Sequence, residues 1–225
     1  MAGRALYEQR FDPAERRAKA AVWQVLCADF FQRYVRDSDA VLDLGAGFCE
    51  FINHIRCREK WAVDADEQVR SLANPDVQVR CGVAHDLTWL GAASVDVVFA
   101  SNFFEHVTSK DLLLTTLGEV ERVLRPHGRL LILQPNIHYA YREYWDFFDH
   151  HLPLSHSSMV EALEMVGLRP TEVRPQFLPY TTKSALPQWP ILVRAYLRFP
   201  LMHRLLGKQM FIVAEKPPMN TDDHR

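Results

Sequence analysis

Short apolar runs alternate along the chain with segments whose apolar residues recur at helical spacing. The runs predict strands at 41–44, 61–64, 77–81, 94–102, 129–134 and 208–215. The spacing predicts helices at about 12–36, 49–55, 110–124 and 154–167. Because strands and helices alternate with short turns, the pattern indicates an α/β fold with a parallel, doubly wound sheet.

Turn residues mark several boundaries of these elements. Asp12 and Pro13 are the residue types expected at an N-cap and a first helical position. The segment 125–128 is interpreted as a turn that separates the helix at 110–124 from the strand at 129–134. A stretch at 176–183 is interpreted as a strand followed by a loop.

The first predicted strand ends in an acidic residue and a turn that contains two glycines. The sequence is Val41-Leu42-Asp43-Leu44-Gly45-Ala46-Gly47-Phe48-Cys49-Glu50-Phe51. Glycines two positions apart allow a tight turn and let a ligand approach the backbone more closely than a Cβ would permit. A helix that begins near Cys49 would direct its free N–H groups and its positive dipole end toward that ligand.

Two classes of ligand use a turn of this kind. Dinucleotides place a pyrophosphate there and usually require a third glycine three residues after the second, where this chain has Glu50. A carboxylate at that position would repel phosphate. Asp43 and Glu50 suit instead a ligand with a cationic amine and little or no phosphate, a description that S-adenosylmethionine fits.

Polar residues also follow the later strands. Asp64 ends the second strand about twenty residues past the glycines, where a carboxylate meets a ribose in this type of α/β unit. Asp86, after the third strand, could pair with adenine or could cap a short turn near Thr88. Asn102 follows the fourth strand. Since the carboxyl ends of parallel strands meet at one edge, these residues and Asp43 are predicted to share one site.

Three segments resemble motifs of class I S-adenosylmethionine-dependent methyltransferases. They are Asp43–Cys49, the fourth strand with the Glu105-His106 pair that follows it, and Leu-Arg-Pro-x-Gly-x-Leu at 124–130. Cys49 stands where that family most often has a third glycine. The resemblance implies a mostly parallel, seven-stranded sheet with helices on both faces and an antiparallel final strand, and it implies S-adenosylmethionine as the cofactor.

The resemblance also implies cofactor contacts. In this family a helix before the first strand often closes over the cofactor, so that Tyr7, Arg10, Lys19 and Trp23 could reach its carboxylate, although core packing is the default interpretation of most of them. The predicted cofactor-binding residues are Asp43, Gly45, Ala46, Gly47, Asp64, Ala65, His85, Asp86, Asn102, Arg10 and Trp23.

The chain is interpreted as one methyltransferase domain over residues 1–225. Its expected parts are an N-terminal cap helix (1–37), a cofactor-binding core (38–137), substrate-side insertions (138–206), a last strand (207–216) and a tail (217–225). The insertion after the fifth strand is rich in aromatic rings and histidines up to His151. It is interpreted as a lid over the acceptor site, the alternative being a helix that packs its rings on the core.

Composition restricts the remaining choices. The 225 residues are 48% hydrophobic and 24% charged, and the formal net charge of -2 gives no electrostatic case for nucleic acid. The four cysteines have neither paired nor zinc-like spacing and are expected to be reduced thiols. The first residues lack the apolar core of a secretory signal and no run has the length of a membrane span, so a cytoplasmic location is expected.

Methyl transfer to a hydroxyl of a small molecule or a sugar is the leading hypothesis. A hydroxyl must lose its proton during attack, and histidine suits that duty. The candidate bases are His106, His138, His150 and His151. A magnesium ion held by Asp146, Asp149, His150 and His151 is conceivable. Magnesium prefers oxygen ligands, however, and two of these four residues are histidines, so no metal is predicted.

Three rival functions remain open. An N-methyltransferase would differ in its acceptor, whose amine needs less help from a base. A nicotinamide-dependent oxidoreductase would share the role of Asp64 but lacks the third glycine. A non-catalytic nucleoside-binding module would keep the fold without the chemistry.

The stretch 190–206 carries a question of its own. It is apolar, with arginines at helical spacing. It could lie on an anionic membrane, form the contact of a homodimer, or cover its own core while the arginine stems reach outward. Covering its own core is the default, and a lipid-linked acceptor would favour the membrane.

Overall fold

The structure, a computed structural model, describes residues 13–180 and 189–218. Over these ranges seven strands form one sheet: β1 (Ala40–Leu44), β2 (Glu59–Asp64), β3 (Val77–Cys81), β4 (Val95–Ser101), β5 (Leu124–Pro135), β6 (Arg169–Arg174) and β7 (Gln209–Glu215). The strand order is β3-β2-β1-β4-β5-β7-β6, and β7 is antiparallel to both of its neighbours. The predicted mostly parallel sheet with an antiparallel last strand is confirmed.

Helices connect and cover these strands. The α-helices are α1 (Pro13–Asp29), α2 (Glu50–His54), α3 (Val69–Leu72), α4 (Lys110–Val123), α5 (Ile137–Ala140), α6 (His156–Met165), α7 (Pro190–Arg198) and α8 (Pro200–Leu206). Short 3-10 turns follow α1, β4 and α5, at Phe31–Arg33, Phe104–His106 and Tyr144–Asp146.

Two apolar clusters lie on opposite faces of the sheet, because successive strand side chains point to opposite sides. Leu42 packs in one cluster with residues of α4 and α6, whereas the adjacent Val41 packs in the other with residues of α1 and α2. Both faces of β1 are therefore buried, which explains why its sequence is a continuous apolar run rather than an alternating one.

The predicted start of the fifth strand is wrong. Leu124 already pairs with Val95, and the register shifts before Val97 pairs with Arg129. Residues 125–128, expected to form a turn, instead form an irregular part of β5. Within it, His127 has a left-handed φ of 63°. A bulge of this kind absorbs extra residues while the strand continues on either side.

The strand predicted at the start of 176–183 is also wrong. The sixth strand spans Arg169–Arg174, whereas 176–180 carries no strand and 181–183 lies outside the described residues. β6 is an edge strand in which Val173 is the one large apolar residue apart from Pro170, so it lacks a continuous apolar run. Pro170, a residue type that ends helices, is tolerated here because it lies at a sheet edge.

Two helical predictions need smaller corrections. The first helix ends at Asp29 rather than near residue 36, and Asp12, its predicted N-cap, lies outside the described residues. The stretch 190–206 forms two helices instead of one, because Pro200 interrupts the backbone hydrogen bonding and starts α8.

The join between α8 and β7 depends on Gly207, so we expect Gly207→Ala to destabilise the fold. A Cβ at this position would overlap the carbonyl oxygen of His203 and would lie 2.8 Å from the backbone nitrogen of Phe177. Overpacking of this kind typically costs about 1–3 kcal/mol in the free energy of unfolding. Denaturant titration followed by circular dichroism measures the loss.

Gly118→Ala is the matched control. Gly118 lies inside α4, and no heavy atom of the surrounding described residues comes within 4 Å of the place that an alanine methyl would occupy. Alanine should therefore raise the free energy of unfolding by about 0.5–1 kcal/mol. Equal effects of the two substitutions would contradict the assigned packing at Gly207.

Candidate active site

The turn after β1 is built from backbone that only some residues tolerate. Gly45, Gly47 and Cys49 have φ values of 69°, 50° and 59°. A Cβ on Gly45 would overlap the ring of Phe103, whereas no heavy atom of the described residues lies within 4 Å of the corresponding position at Gly47. Space therefore remains above Gly47 for a ligand to approach the backbone.

Hydrogen bonds fix this turn against the end of β2. The N–H groups of Gly45 and Ala46 donate to the carbonyl oxygen of Val63, at 2.9 and 3.1 Å. Each carboxylate oxygen of Asp64 accepts a backbone N–H at 2.8 Å, one from Gly47 and one from Asp66. Asp64 is thus held in a single orientation beside the glycine turn.

A cavity of about 950 Å³ opens above these strand ends. That volume lies near the upper end of the range of about 300–1,000 Å³ found for ligand sites. Most of the site residues predicted from the sequence line this cavity: Trp23, Asp43, Gly45, Ala46, Gly47, Asp64, Ala65, His85, Asn102 and His106. The structure therefore brings together most of the polar residues that the sequence placed at one edge.

The charge of the cavity is mainly negative. Its wall contains six acidic residues and, among the described residues, Lys19 as its one lysine or arginine. Lys19 lies 3.3 Å from Glu50 and over the ring of Phe48. Such a surface attracts a ligand with cationic groups and opposes the binding of a pyrophosphate.

Asp43 is the most deeply buried of these acids. Its residue is 3% exposed, and burial raises the pKa of its carboxyl well above the usual value, with the nearby Glu50 and Asp64 adding to the rise. A hydrogen bond from the Ile52 backbone opposes the shift. A cation bound above Asp43 would compensate the charge that burial makes unfavourable.

Asp86, a predicted cofactor contact, does not reach the cavity. Asp86 is exposed and is not part of the cavity wall. One of its oxygens accepts hydrogen bonds from the backbone and the hydroxyl of Thr88, which lower the pKa of Asp86 and match the alternative role of capping a turn. Arg10 lies outside the described residues.

A second group of polar residues lies at the other end of the cavity. The Nδ1 atom of His106 lies 2.9 Å from the carbonyl oxygen of Asp149. A carbonyl can only accept, so Nδ1 donates this hydrogen bond, and in the neutral imidazole Nε2 is then the proton acceptor. His106 and Asp149 both line the cavity, so Nε2 of His106 belongs to a side chain of the cavity wall.

Glu105 and His150 lie behind His106. Glu105 is 2% exposed, burial raises the pKa of its carboxyl to about 8, and its Oε2 has no hydrogen-bond partner within the described part of the chain. His150 is buried, its ring centroid lies 5.1 Å from that of His106, and its Nδ1 lies 2.9 Å from the carbonyl oxygen of Tyr144.

These three side chains could also approach a metal ion. Glu105, His106 and His150 each offer one ligand atom, and the atoms lie within 4.8 Å of one another. Two imidazoles and a carboxylate suit a transition metal. Nε2 of His150 already lies 3.5 Å from the Tyr180 hydroxyl, so an ion would have to displace that contact. The group includes neither Asp146 nor His151, and the absence of a metal stays a prediction.

The remaining candidate histidines lie away from the cavity wall. His138 is exposed, and its ring lies 6.0 Å from that of His156. The side chain of His151 is also exposed, although its backbone N–H donates to the carbonyl oxygen of Glu105 at 2.8 Å. Leu152 donates to the same oxygen, so the aromatic insertion is fastened to the end of β4.

Comparison with known proteins agrees with this geometry. Residues 42–132 match the sequence profile of a family described as a methyltransferase domain. The match covers the glycine turn, Asp64 and the Glu105-His106 pair. The chain contains a class I S-adenosylmethionine-dependent methyltransferase domain, of which residues 42–132 are the matched part. The protein is therefore an enzyme of this class, and S-adenosylmethionine is its cofactor.

Solved structures share the fold of this methyltransferase. The methyltransferase complexed with the Trm112 activator of Haloferax volcanii has 19% identity and a TM-score of 0.66, over 92% of this chain and 95% of that one. A SAM-dependent methyltransferase from Archaeoglobus fulgidus has 20% identity and a TM-score of 0.62, over 83% and 90%. At such identities the likeness shows the fold alone. Among curated proteins, no relative matches the sequence.

A third structure contains ligands. Geranyl diphosphate methyltransferase, in complex with GPP and sinefungin, has 16% identity and a TM-score of 0.59, over 84% of this chain and 76% of that one.

Sequence reasoning missed two residues of the methyltransferase site. Phe103 packs against Gly45 and lines the cavity, and Glu105 supplies the buried carboxyl behind His106. Both lie in the motif whose resemblance to the family identified His106, so this motif is the signal that could have indicated them. The burial of Glu105, whose backbone carbonyl binds His151 and Leu152 of the insertion, could not be deduced from the motif.

We expect Asp43→Asn to make the ligand-free enzyme more stable and the cofactor less tightly bound. The raised pKa means that the folded state holds its proton more tightly than the unfolded state, so ionisation costs stability as pH rises above the ordinary aspartate range. Each unit by which the folded-state pKa exceeds the unfolded-state pKa corresponds to about 1.4 kcal/mol in the free energy of unfolding. For a chain of this size, an increase of about 1 kcal/mol in that free energy raises the Tm by about 2–4 °C.

Calorimetry should show the opposite effect on binding. Loss of a charged partner costs about 1.5–3 kcal/mol, so the Kd for S-adenosylmethionine should rise about 10- to 100-fold. The gain in Tm over the wild type should shrink as the pH falls through the ordinary aspartate range of about 4, because Asp43 then becomes protonated in the unfolded state as well. A variant that is both less stable and unchanged in affinity would contradict the role assigned to Asp43.

Asp64 and Asp86 provide a paired test of the two acids predicted to hold the nucleoside. Asp64→Ala removes two backbone hydrogen bonds at the glycine turn and should weaken S-adenosylmethionine binding at least about tenfold. Asp86→Ala should change the Kd by less than about twofold, since this residue is outside the cavity wall. A large loss with Asp86→Ala would restore its predicted contact with adenine.

Proposed function

We propose that the enzyme transfers a methyl group from S-adenosylmethionine to a hydroxyl of a small molecule or a sugar in the cytoplasm, with His106 as the general base. The observation that carries this proposal is the orientation of His106. Its Nδ1–H is bound by the carbonyl oxygen of Asp149, and the residue lines the same cavity as the glycine turn.

The proposed reaction needs little from the protein beyond alignment and one proton transfer. The hydroxyl oxygen attacks the methyl carbon while the bond from that carbon to the sulfonium sulfur breaks, and the hydroxyl proton passes to Nε2 of His106. The products are a methyl ether and S-adenosylhomocysteine. Holding two reactants in line can supply effective molarities of about 10⁵–10⁸ M.

The aromatic insertion is proposed to close the acceptor side of the cavity. Its backbone is bound to Glu105 through His151 and Leu152, and Asp149 contributes to the wall. Tyr144 is buried, with its hydroxyl donating to the carbonyl oxygen of Leu152, whereas Trp145 and Phe148 are 61% and 89% exposed. The packed rings hold the insertion in place, and the exposed rings are available to a ring-bearing acceptor.

The other functions make different demands on this site. An amine acceptor would not require the proton to leave during attack, so His106 would matter less. A nicotinamide cofactor would bring its pyrophosphate into a cavity with six acidic residues. The neighbours with the same fold include an enzyme named for geranyl diphosphate and one bound to an activator, so the fold does not define the acceptor.

We expect His106→Asn to lower kcat for a hydroxyl acceptor by about 10²–10⁴ while the Kd for S-adenosylmethionine stays within a few-fold of the wild type. The asparagine keeps a polar side chain but offers no basic nitrogen. Methyl-labelled S-adenosylmethionine with a panel of sugars, phenols and amines measures transfer, and calorimetry measures binding. Added imidazole should partly restore transfer by His106→Ala.

His138→Asn is the matched control, and its kcat should stay within about twofold of the wild type because His138 lies off the cavity wall. Transfer to amines alone, with His106→Asn unimpaired, would favour the N-methyltransferase. Binding of S-adenosylmethionine without transfer to any acceptor in the panel would favour the non-catalytic module, and heat from NAD alone would favour the oxidoreductase.

A further inference from the structure

The apolar–basic surface is formed by residues 189–206, which comprise Trp189, α7, Phe199 and α8. Of the thirteen large apolar side chains that the described residues expose, seven lie in this segment: Trp189, Ile191, Leu192, Phe199, Leu201, Met202 and Leu205. No helix of the described ranges has both the length and the apolar character needed to cross a bilayer. Exposed apolar side chains concentrated in this way mark a surface that meets another apolar phase.

The inner side of the same two helices is already packed. Val193 and Leu197 contact the apolar cluster that contains α1, and the Tyr196 hydroxyl donates to the carbonyl oxygen of Phe177. His203 is 5% exposed and lies 3.0 Å from the carbonyl oxygen of Tyr196. The helices therefore cover the core with one side and still present apolar residues on the other.

The charge of the surface selects among occupants. Residues 189–206 include three arginines and no aspartate or glutamate. Arg194 pairs with Asp29 at 3.0 Å, whereas Arg198 and Arg204 form no ion pair within the described residues. In a twofold dimer this surface would meet itself and oppose like charges. An anionic lipid surface would instead complement the arginines and accept the apolar side chains.

The surface adjoins the catalytic edge of the sheet. β7 starts at Gln209, three residues after α8 ends, and pairs there with Pro135 at the end of β5. The side-chain amide of Gln209 donates to Oδ1 of Asn102 at 3.3 Å, and Asn102 lines the cavity. Lys208 pairs with Glu143 of the aromatic insertion. A membrane that contacts α8 would thus lie beside the cavity.

We propose that the apolar–basic surface seats the enzyme on an anionic lipid surface, and that the acceptor is a lipid-linked molecule presented there. The lipid-linked acceptor rests on the proposed hydroxyl methylation, whereas the docking on lipid does not. Apolar burial and electrostatic attraction together bind such helices at the interface. Docking would bring the cavity to the headgroups and raise the effective concentration of an acceptor confined to the membrane.

Vesicle sedimentation of the full chain tests the docking. The protein should bind phosphatidylcholine vesicles that contain phosphatidylglycerol, bind pure phosphatidylcholine weakly, and dissociate as salt increases. Arg198→Gln with Arg204→Gln should weaken binding about 30-fold, from about one kcal/mol per arginine. Leu201→Glu with Leu205→Glu should abolish it. The control pair, Met165→Glu with Arg70→Gln, alters an exposed apolar and an exposed basic residue elsewhere and should bind like the wild type.

Several results would overturn the docking. One is that the wild type does not bind vesicles. Another is that neither the arginine pair nor the leucine pair of substitutions weakens vesicle binding. A third is a dimer, detected by sedimentation velocity, that Leu201→Glu with Leu205→Glu dissociates. The last would assign the surface to a second copy of the chain. Calorimetry with S-adenosylmethionine on the same variants should be unchanged, so failure to dock is distinguishable from failure of the methyltransferase site.

The acceptor class needs its own measurement. Transfer to long-chain alkyl glycosides in anionic vesicles should exceed transfer to the matching methyl glycosides in solution by at least about tenfold in kcat/KM. The Leu201→Glu, Leu205→Glu variant should lose that preference and keep its rate on the soluble glycosides. Equal rates on both forms by the vesicle-binding wild type would overturn the lipid-linked acceptor, and transfer to neither would count against hydroxyl methylation itself.

Discussion

The site depends on a carboxylate held almost out of water at the centre of the sheet. Asp43 is the penultimate residue of β1, which lies between β2 and β4, and its neighbours Leu42 and Leu44 are fully buried. The apolar burial of the strand fixes the position of the acid, although the acid itself is unfavourable there. The ligand-free fold therefore carries an electrostatic cost at Asp43, and we propose that the cofactor's amine offsets it on binding.

The glycine turn follows from the same arrangement. Once β1 ends in the sheet interior, the chain must reverse within a few residues to start α2, and three residues adopt left-handed backbone to do so. The reversal brings the N–H of Gly47 to Asp64, which fastens β1 to β2 at the point where both acids face the cavity. The geometry of the glycine turn therefore also fixes how Asp43 and Asp64 are placed relative to each other.

Sequence alone located the half of the site that local patterns determine. Asp43, Asp64 and Asn102 stand at strand ends, and strand ends can be inferred from apolar runs. The burial of Glu105 and His150 could not be inferred, because it results from contacts between segments more than forty residues apart, such as the hydrogen bond from His151 to Glu105. Asp86 was ambiguous for a different reason: the direction of a loop side chain depends on local hydrogen bonds such as that to Thr88.

Topology explains why the apolar–basic surface lies beside the cavity. The parallel strands all end at the ligand edge, and β7 is antiparallel, so it must begin there. Any chain inserted before β7 returns to that edge, whatever its sequence. The insertion after β5 leaves from the same edge, at Pro135, and Lys208 pairs with Glu143 across the two segments. The sequence of α7 and α8 thus determines what this surface binds, whereas its position beside the cavity is imposed by the direction of a single strand.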